Sequence, residues 1–151
     1  MNRKNQQASL IETIIISLSK GLWFLISWPI KKILKLKTKS EKLDKIANLQ
    51  KWLEIERLLE SNDEIHAKHA VVVADKFFDD IMKQMGMKGD NFGGRLKNAE
   101  NRFSQVVYQK VWDAHKVRNQ ISHEMDYKLS VGEAKKTLDN FRSGLHNLGA
   151  I

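Results

Sequence analysis

The chain is 151 residues long, has no cysteine and a single proline, and carries a formal net charge of +8. That length holds one core plus an appendage, and without thiols neither a disulfide framework nor a thiolate zinc site can form. The charge is uneven: residues 1–45 hold ten Lys or Arg against Glu12, Glu41 and Asp44, while residues 46–151 are nearly balanced, which excludes a generic nucleic-acid-binding domain whose positive field sits on the fold itself.

From Ile14 to Ile30 the sequence IIISLSKGLWFLISWPI contains one charge, Lys20. Extended back to Ser9 the run reaches 22 residues, enough to cross a hydrocarbon core of about 30 Å. Pro29 ends it, and Lys31, Lys32, Lys35, Lys37 and Lys39 follow. Such a basic block is retained in the cytoplasm by the positive-inside rule. Residues 1–45 are therefore expected to associate with membrane lipid and to hold the rest of the chain at the cell membrane, with the C-terminal domain in the cytoplasm.

Two membrane geometries fit. Ile11, Ile14, Ile15, Leu18, Leu22, Leu25 and Ile33 share one face of a helix, with Ser9, Thr13, Lys20, Ser27 and Lys31 opposite. That stripe suits an in-plane helix on anionic lipid. Ile16, Trp23 and Phe24 intrude on the polar side, which favours spanning. A helix packed on the soluble domain is a third reading. A secretory signal fits the basic start at Arg3 and Lys4, but no small-residue cleavage site precedes the lysines.

Residues 46–151 read as a helical domain. Leu43, Ile46, Leu49, Leu53 and Leu58 recur at spacings of three to five and mark the apolar face of a first amphipathic helix. Ser61-Asn62-Asp63 interrupts it, and Asp63 or Asn62 can cap the next helix. The second helix is expected from about Asp63 to Met85, with Ile65, Val72, Phe77 and Ile81 among its buried residues. Its run Ala70-Val71-Val72-Val73-Ala74 is apolar all round, as in a helix central to a bundle.

Residues 86–94 hold four of the eight glycines and read as a connecting loop, with glycine ending the second helix. A phosphate cradle is the sharper alternative, but no GxxxxGK[ST] pattern is present and no strand precedes the glycines. The third helix is expected from Arg95 to His123, with Leu96, Ala99, Phe103, Val106, Val107, Val111, Ala114, Val117 and Ile121 inward. Met125–Val131 turns the chain, and Ser130 stands three residues before Glu133 in the pattern of a capping box. The fourth helix runs from Val131 to Leu148 through Ala134, Leu138, Phe141, Leu145 and Leu148, and Gly149 closes it. Four helices with short connections predict an all-α, antiparallel up-and-down four-helix bundle, preceded by the hydrophobic and basic N-terminal helix.

The stretch Ala114-His115-Lys116-Val117-Arg118-Asn119-Gln120-Ile121-Ser122-His123-Glu124 stands apart from ordinary helix sequence. It resembles the HEPN family, whose mark is an arginine, a polar residue, then a histidine a few positions later: here Arg118, Asn119 and His123. The resemblance extends from about Leu49 to Leu148, including ADKFFDDIMKQMG, a Gly-bearing loop and the final helix. Ser122 departs from the small apolar residue common at that place. The resemblance implies a metal-independent endoribonuclease of toxin or defence type, acting as a homodimer on RNA or a nucleotide and without a cofactor. A toxin implies an antitoxin partner. The alternative within the same fold is a non-catalytic nucleotide-binding, protein-binding or dimerisation module.

The side chains suit that chemistry. Arginine offers a fixed fork of donors for a phosphodiester, and histidine takes and returns a proton near neutral pH. His123 would activate the 2′-hydroxyl or protonate the leaving oxygen, and Asn119 would orient the phosphate or the imidazole. His115 and Lys116 are candidates for further substrate contacts. Arg118 and His123 stand about 140° apart around an ideal helix, so one straight helix does not aim both at one point. Pairing of two copies across a cleft, as the resemblance implies, would bring them together.

Blander roles compete: Arg118 can pair with Glu124 or Asp126, and His123 can favour the helix end as a cation. His66 and His69, three apart, could ligate a metal, but nothing nearby completes a set. Asp75, Asp79 and Asp80 could approach the active cleft, but their usual explanation is the polar side of the amphipathic second helix. Tyr108 and Trp112 read as core and interface residues.

Overall fold

The computed structural model describes residues 44–151, part of a compact unit spanning Lys42–Ile151. Of residues 1–45, expected to associate with membrane, those up to residue 43 lie outside the described residues. Five α-helices and two short 3-10 segments make up the rest, with no strand among the described residues. They are α1 (Lys45–Arg57), a 3-10 turn (Leu58–Ser61), α2 (Glu64–Gln84), α3 (Phe92–Asn98), a second 3-10 turn (Glu100–Arg102), α4 (Gln105–His123) and α5 (Val131–Asn147). Among these no helix is long and apolar enough to cross a membrane.

Each helix begins at a side-chain cap that satisfies an orphan amide. Asp44 accepts from Ala47 at 3.1 Å, Asp63 from His66 at 3.0 Å and Asn91 from Gly94 at 2.8 Å. Ser130 and Glu133 form the reciprocal capping box that their spacing predicts. Gly149, at φ +66°, ends α5, with the amide of Ala150 donating to Leu145 at 2.9 Å. Gly86, at φ +74°, ends α2 in the same way, the amide of Met87 reaching Met82 at 3.0 Å.

The single helix expected from Arg95 to His123 is two. Residues 99–104 break it, and Ser104 caps α4. The cause lies far along the chain. Asn147, near the end of α5, donates through Nδ2 to the carbonyl of Arg102 at 2.8 Å and accepts from the amide of Ser104 at 3.4 Å. A periodicity window has no access to that contact.

The core is shared by α2, α4 and α5, with α1 laid against them. Phe78 of α2 and Phe141 of α5 lie 5.8 Å apart and meet Phe92 of α3. Gly144 is where α5 comes closest: a Cβ there would stand 2.6 Å from both the Phe78 ring and a Val111 methyl. On α5 the expected face is the buried one, with Ala134, Leu138, Phe141 and Leu145 inside and Leu148 partly so.

On α1 the expected face is the wrong one. Ile46, Leu49 and Leu53 are exposed, at 73%, 40% and 42%, whereas Asn48, Trp52 and Ile55 are buried. The inward residues are held by polar handles: Asn48 Nδ2 donates to the carbonyl of Ala150 at 3.1 Å, and Trp52 Nε1 donates to Glu56 at 2.7 Å. On α2, Ile81 is buried as expected, but Ile65 is 80% exposed and Val72 and Phe77 only half-buried. The inner face is built instead from Ala67, Ala70, Val71, Ala74, Phe78 and Met82, together with the carboxylate of Asp75.

Candidate functional site

That inward carboxylate lines a cavity of about 570 Å³ between α2, the start of α3 and α4. Ala70 and Ala74 are buried on α2, and Asp75, the next residue, is buried with them. Its Oδ1 sits 2.6 Å from Nδ1 of His115. Both side chains are largely withdrawn from solvent, at 12% exposure for His115 and 7% for Asp75. The imidazole is stacked face-on against Phe92, with centroids 4.1 Å apart and planes 8° from parallel, and Trp112 meets it edgewise at 6.0 Å. Its orientation is therefore fixed from three sides.

One turn along α4, Arg118 brings Nε to 3.5 Å from the other oxygen of Asp75. That nitrogen is buried and lacks a hydrogen-bond partner, whereas Nη1 donates to Oδ1 of Asn119 at 3.2 Å. His115, Arg118 and Asn119 occupy positions i, i+3 and i+4, which share one helix face, and all three line the cavity.

The far wall is an ion-pair clamp. Arg95 of α3 binds Asp79 of α2 through two parallel hydrogen bonds, Nε to Oδ1 at 2.6 Å and Nη2 to Oδ2 at 2.9 Å. It also donates to the carbonyl of Gly89, and Lys83 reaches Asp79 at 2.7 Å. Burial pushes the Asp79 carboxyl up, but Arg95 and Lys83 outweigh it and hold the group below the ordinary carboxylate range. The glycine loop is thus used for packing. A Cβ at Gly89 would collide with the backbone of Arg95, so the loop can lie on the start of α3 only without one.

Of the residues singled out in the sequence, the structure brings Arg118, Asn119 and His115 into one cavity. His123 is the last residue of α4, exposed and outside that cavity. Lys116 points to solvent and pairs with Asp113 at 3.2 Å. His66 is hydrogen-bonded to its own cap residue Asp63 at 2.6 Å, and among the described residues no three His, Asp or Glu side chains are grouped to hold a metal.

The sequence does not announce the Asp75–His115 pair or the Asp79–Arg95 clamp: both aspartates could approach the cleft, but the polar side of the second helix is their usual explanation. The available signal was Asp75 itself, a lone acid closing a run of five apolar residues from Ala70 to Ala74. A buried charge needs a paired, hydrogen-bonded partner, and His115 supplies it. The chain matches no protein-family model, no curated protein and no solved structure.

Proposed function

We propose that this chain is a membrane-tethered, HEPN-like protein whose helical unit binds RNA and cleaves it as a metal-independent endoribonuclease of toxin or defence type. In this reading α1, α2, α4 and α5 form an antiparallel up-and-down bundle, with α3 inserted in the connection before the helix that bears the motif. The segment through residue 43 holds the unit on membrane lipid, and the working form is a homodimer.

One observation carries the proposal: Arg118, Asn119 and an imidazole open onto the same cavity. Its volume falls in the range of small-molecule sites, about 300–1,000 Å³, large enough for a nucleotide. Of the three acids in its wall, Asp79 is clamped by Arg95 and Lys83 and Asp75 is engaged by His115, which leaves Asp90 opposite the cations Lys76 and Arg118. Arg118 is one-third exposed, and in this reading its guanidinium binds a phosphodiester, a geometry that an ammonium lacks. In this reading His123, at the exposed end of α4, serves a second copy's cavity across a two-fold axis, as the resemblance implies.

The test is cleavage of varied RNAs by the full-length protein in EDTA, against Arg118→Ala and His123→Ala. The nuclease reading expects cleavage by the wild type and a loss of about 100-fold or more in either variant, the scale of a lost acid–base or charge-stabilising group. Equal inertness of all three proteins would discard it.

A second reading is favoured by the Asp75 contacts. Because that carboxylate pairs with both His115 and Arg118, the cluster can also serve as a buried polar network in a non-catalytic nucleotide-binding or dimerisation module. Binding of a mononucleotide by the wild type with no cleavage of any RNA would select this reading.

A further inference from the structure

We propose that His115 is a second catalytic imidazole, the general base that takes the proton from the RNA 2′-hydroxyl, and that Asp75 is its positioning residue. The assignment rests on the nuclease reading above and adds to it a group that the Arg118-Asn119…His123 pattern does not contain.

The geometry supplies the argument. A carboxylate accepts hydrogen bonds and does not donate them, so the 2.6 Å contact with Asp75 assigns the donated proton to Nδ1 of His115. Nε2 is left as the free basic nitrogen of a ring that lines the cavity. The ring cannot swing away, because Phe92 covers one face and Trp112 abuts its edge. Arg118 follows one turn later on the same helix face, so in a single molecule a fixed base and a phosphate-binding fork border one space. His123 does not meet that condition: it lies outside the cavity, five positions beyond Arg118.

Two imidazoles divide the reaction. Nε2 of His115 removes the 2′-proton, and the 2′-oxygen forms a bond to phosphorus. The bond from phosphorus to the 5′-oxygen breaks, and that oxygen takes a proton from the imidazolium of His123 in the second copy. The products are a 2′,3′-cyclic phosphate and a 5′-hydroxyl, with one proton gained by His115 and one lost by His123. Exchange with water resets both. Around the His115 ring the charged groups lining the cavity are Asp75, Lys76 and Asp79 of α2, Asp90 and Arg95 at and near α3, and Arg118 of α4.

Base and acid are separable by the leaving group. His115→Asn keeps an amide donor for Asp75 while deleting Nε2, and its circular dichroism is compared with wild type to verify the fold. On RNA with a sulfur atom in place of the bridging 5′-oxygen, the leaving group departs without a proton. The full-length His115→Asn protein is expected to lose about 100-fold or more on both the oxygen and the sulfur substrate, the scale of general-base loss. His123→Ala should be slow on oxygen and rescued on sulfur. Asp75→Asn should lower kcat more than KM and displace the acid limb of the pH–rate profile, which a purely structural role would not do.

Rescue of His115→Asn by sulfur, or cleavage by that variant within about threefold of wild type, overturns the assignment while leaving the nuclease reading intact. An unmoved pH profile in Asp75→Asn overturns the positioning role. A wild type inert on every RNA overturns the nuclease reading, and the base assignment falls with it.

Discussion

Helices α5 and α2 are both central to the core, yet their sequences announce their orientation very differently. Along α5 the large buried residues Leu138, Phe141 and Leu145 recur at spacings of three and four beside Ala134, Thr137 and Gly144, and Lys135, Lys136 and Asp139 face water. Side-chain chemistry alone tells its inside from its outside. Along α2, bulky apolar residues occur on both sides of the helix: Val71 and Phe78 are buried, while Val72, Val73 and Phe77 are only half so. Its buried face mixes Ala67, Ala70 and Ala74 with Val71, Phe78, Ile81 and Met82, and it includes Asp75, which finds partners on α4. A helix whose apolar residues keep to one face can be read from a wheel; a helix that has them on both sides and buries an acid cannot, and in this molecule the second kind builds the candidate site.

Substitutions on the two helices put that contrast at risk. The largest effect is expected for Phe141→Ala on α5, which empties the aromatic cluster formed with Phe78 and Phe92. Urea unfolding followed by tryptophan fluorescence should show a loss of about 3–5 kcal/mol, typical of a buried Phe truncation. A loss below about 1 kcal/mol would mean that α5 is not anchored by its apolar face.

On α2, Asp79→Asn keeps the shape and removes the charge bound by Arg95, at an expected cost of about 2 kcal/mol at neutral pH, the scale of hydrogen bonds to charged groups. The pH dependence has a definite sign. Because the folded carboxyl lies below its ordinary value of 3.8, its contribution is complete above that value and is lost as pH falls through the depressed folded value. The Asn variant should therefore lose less stability than wild type on acidification below about pH 4. An acid limb parallel to that of wild type would show that the clamp contributes nothing.

Ser130→Ala removes the cap of α5 and half of its capping box. A cost of about 1 kcal/mol is expected in the same unfolding assay, and no change would mean that α5 starts later than Val131. The smallest effect belongs to Ile65→Ala on α2. A helical wheel makes this residue core, but it stands 80% exposed, so stability should stay within about 0.5 kcal/mol. A loss of 2 kcal/mol or more, the range for burial, would return it to the inside.

Legibility followed the same division. The all-helical content, the capping box at Ser130 and Glu133, the glycine stops at Gly86 and Gly149 and the inner face of α5 were all readable, because each depends on residues within one or two turns. The break at residues 99–104 was not, since Asn147 makes it from another helix. Nor was the face of α1, where Trp52 goes inward and leaves Leu49 and Leu53 outside. In the candidate site, Arg118 and Asn119 come from the motif, and His115 enters beside them as a candidate for a further substrate contact. Asp75 was hidden because a buried acid is recognised by its partner, which lies 40 positions away.

Gly144 deserves a practical reading when variants of this chain are scored in bulk. The absent side chain at that position leaves the gap into which Phe78 and Val111 fit, and both are rigid groups with nowhere to retreat, so even alanine would overpack the junction of three helices. In a saturation screen the position would therefore tolerate almost no replacement and would score beside Arg118, although it does not border the cavity. Intolerance alone will not distinguish residues that handle a substrate from residues that set the spacing of the helices, and abundance must be measured alongside activity to tell them apart.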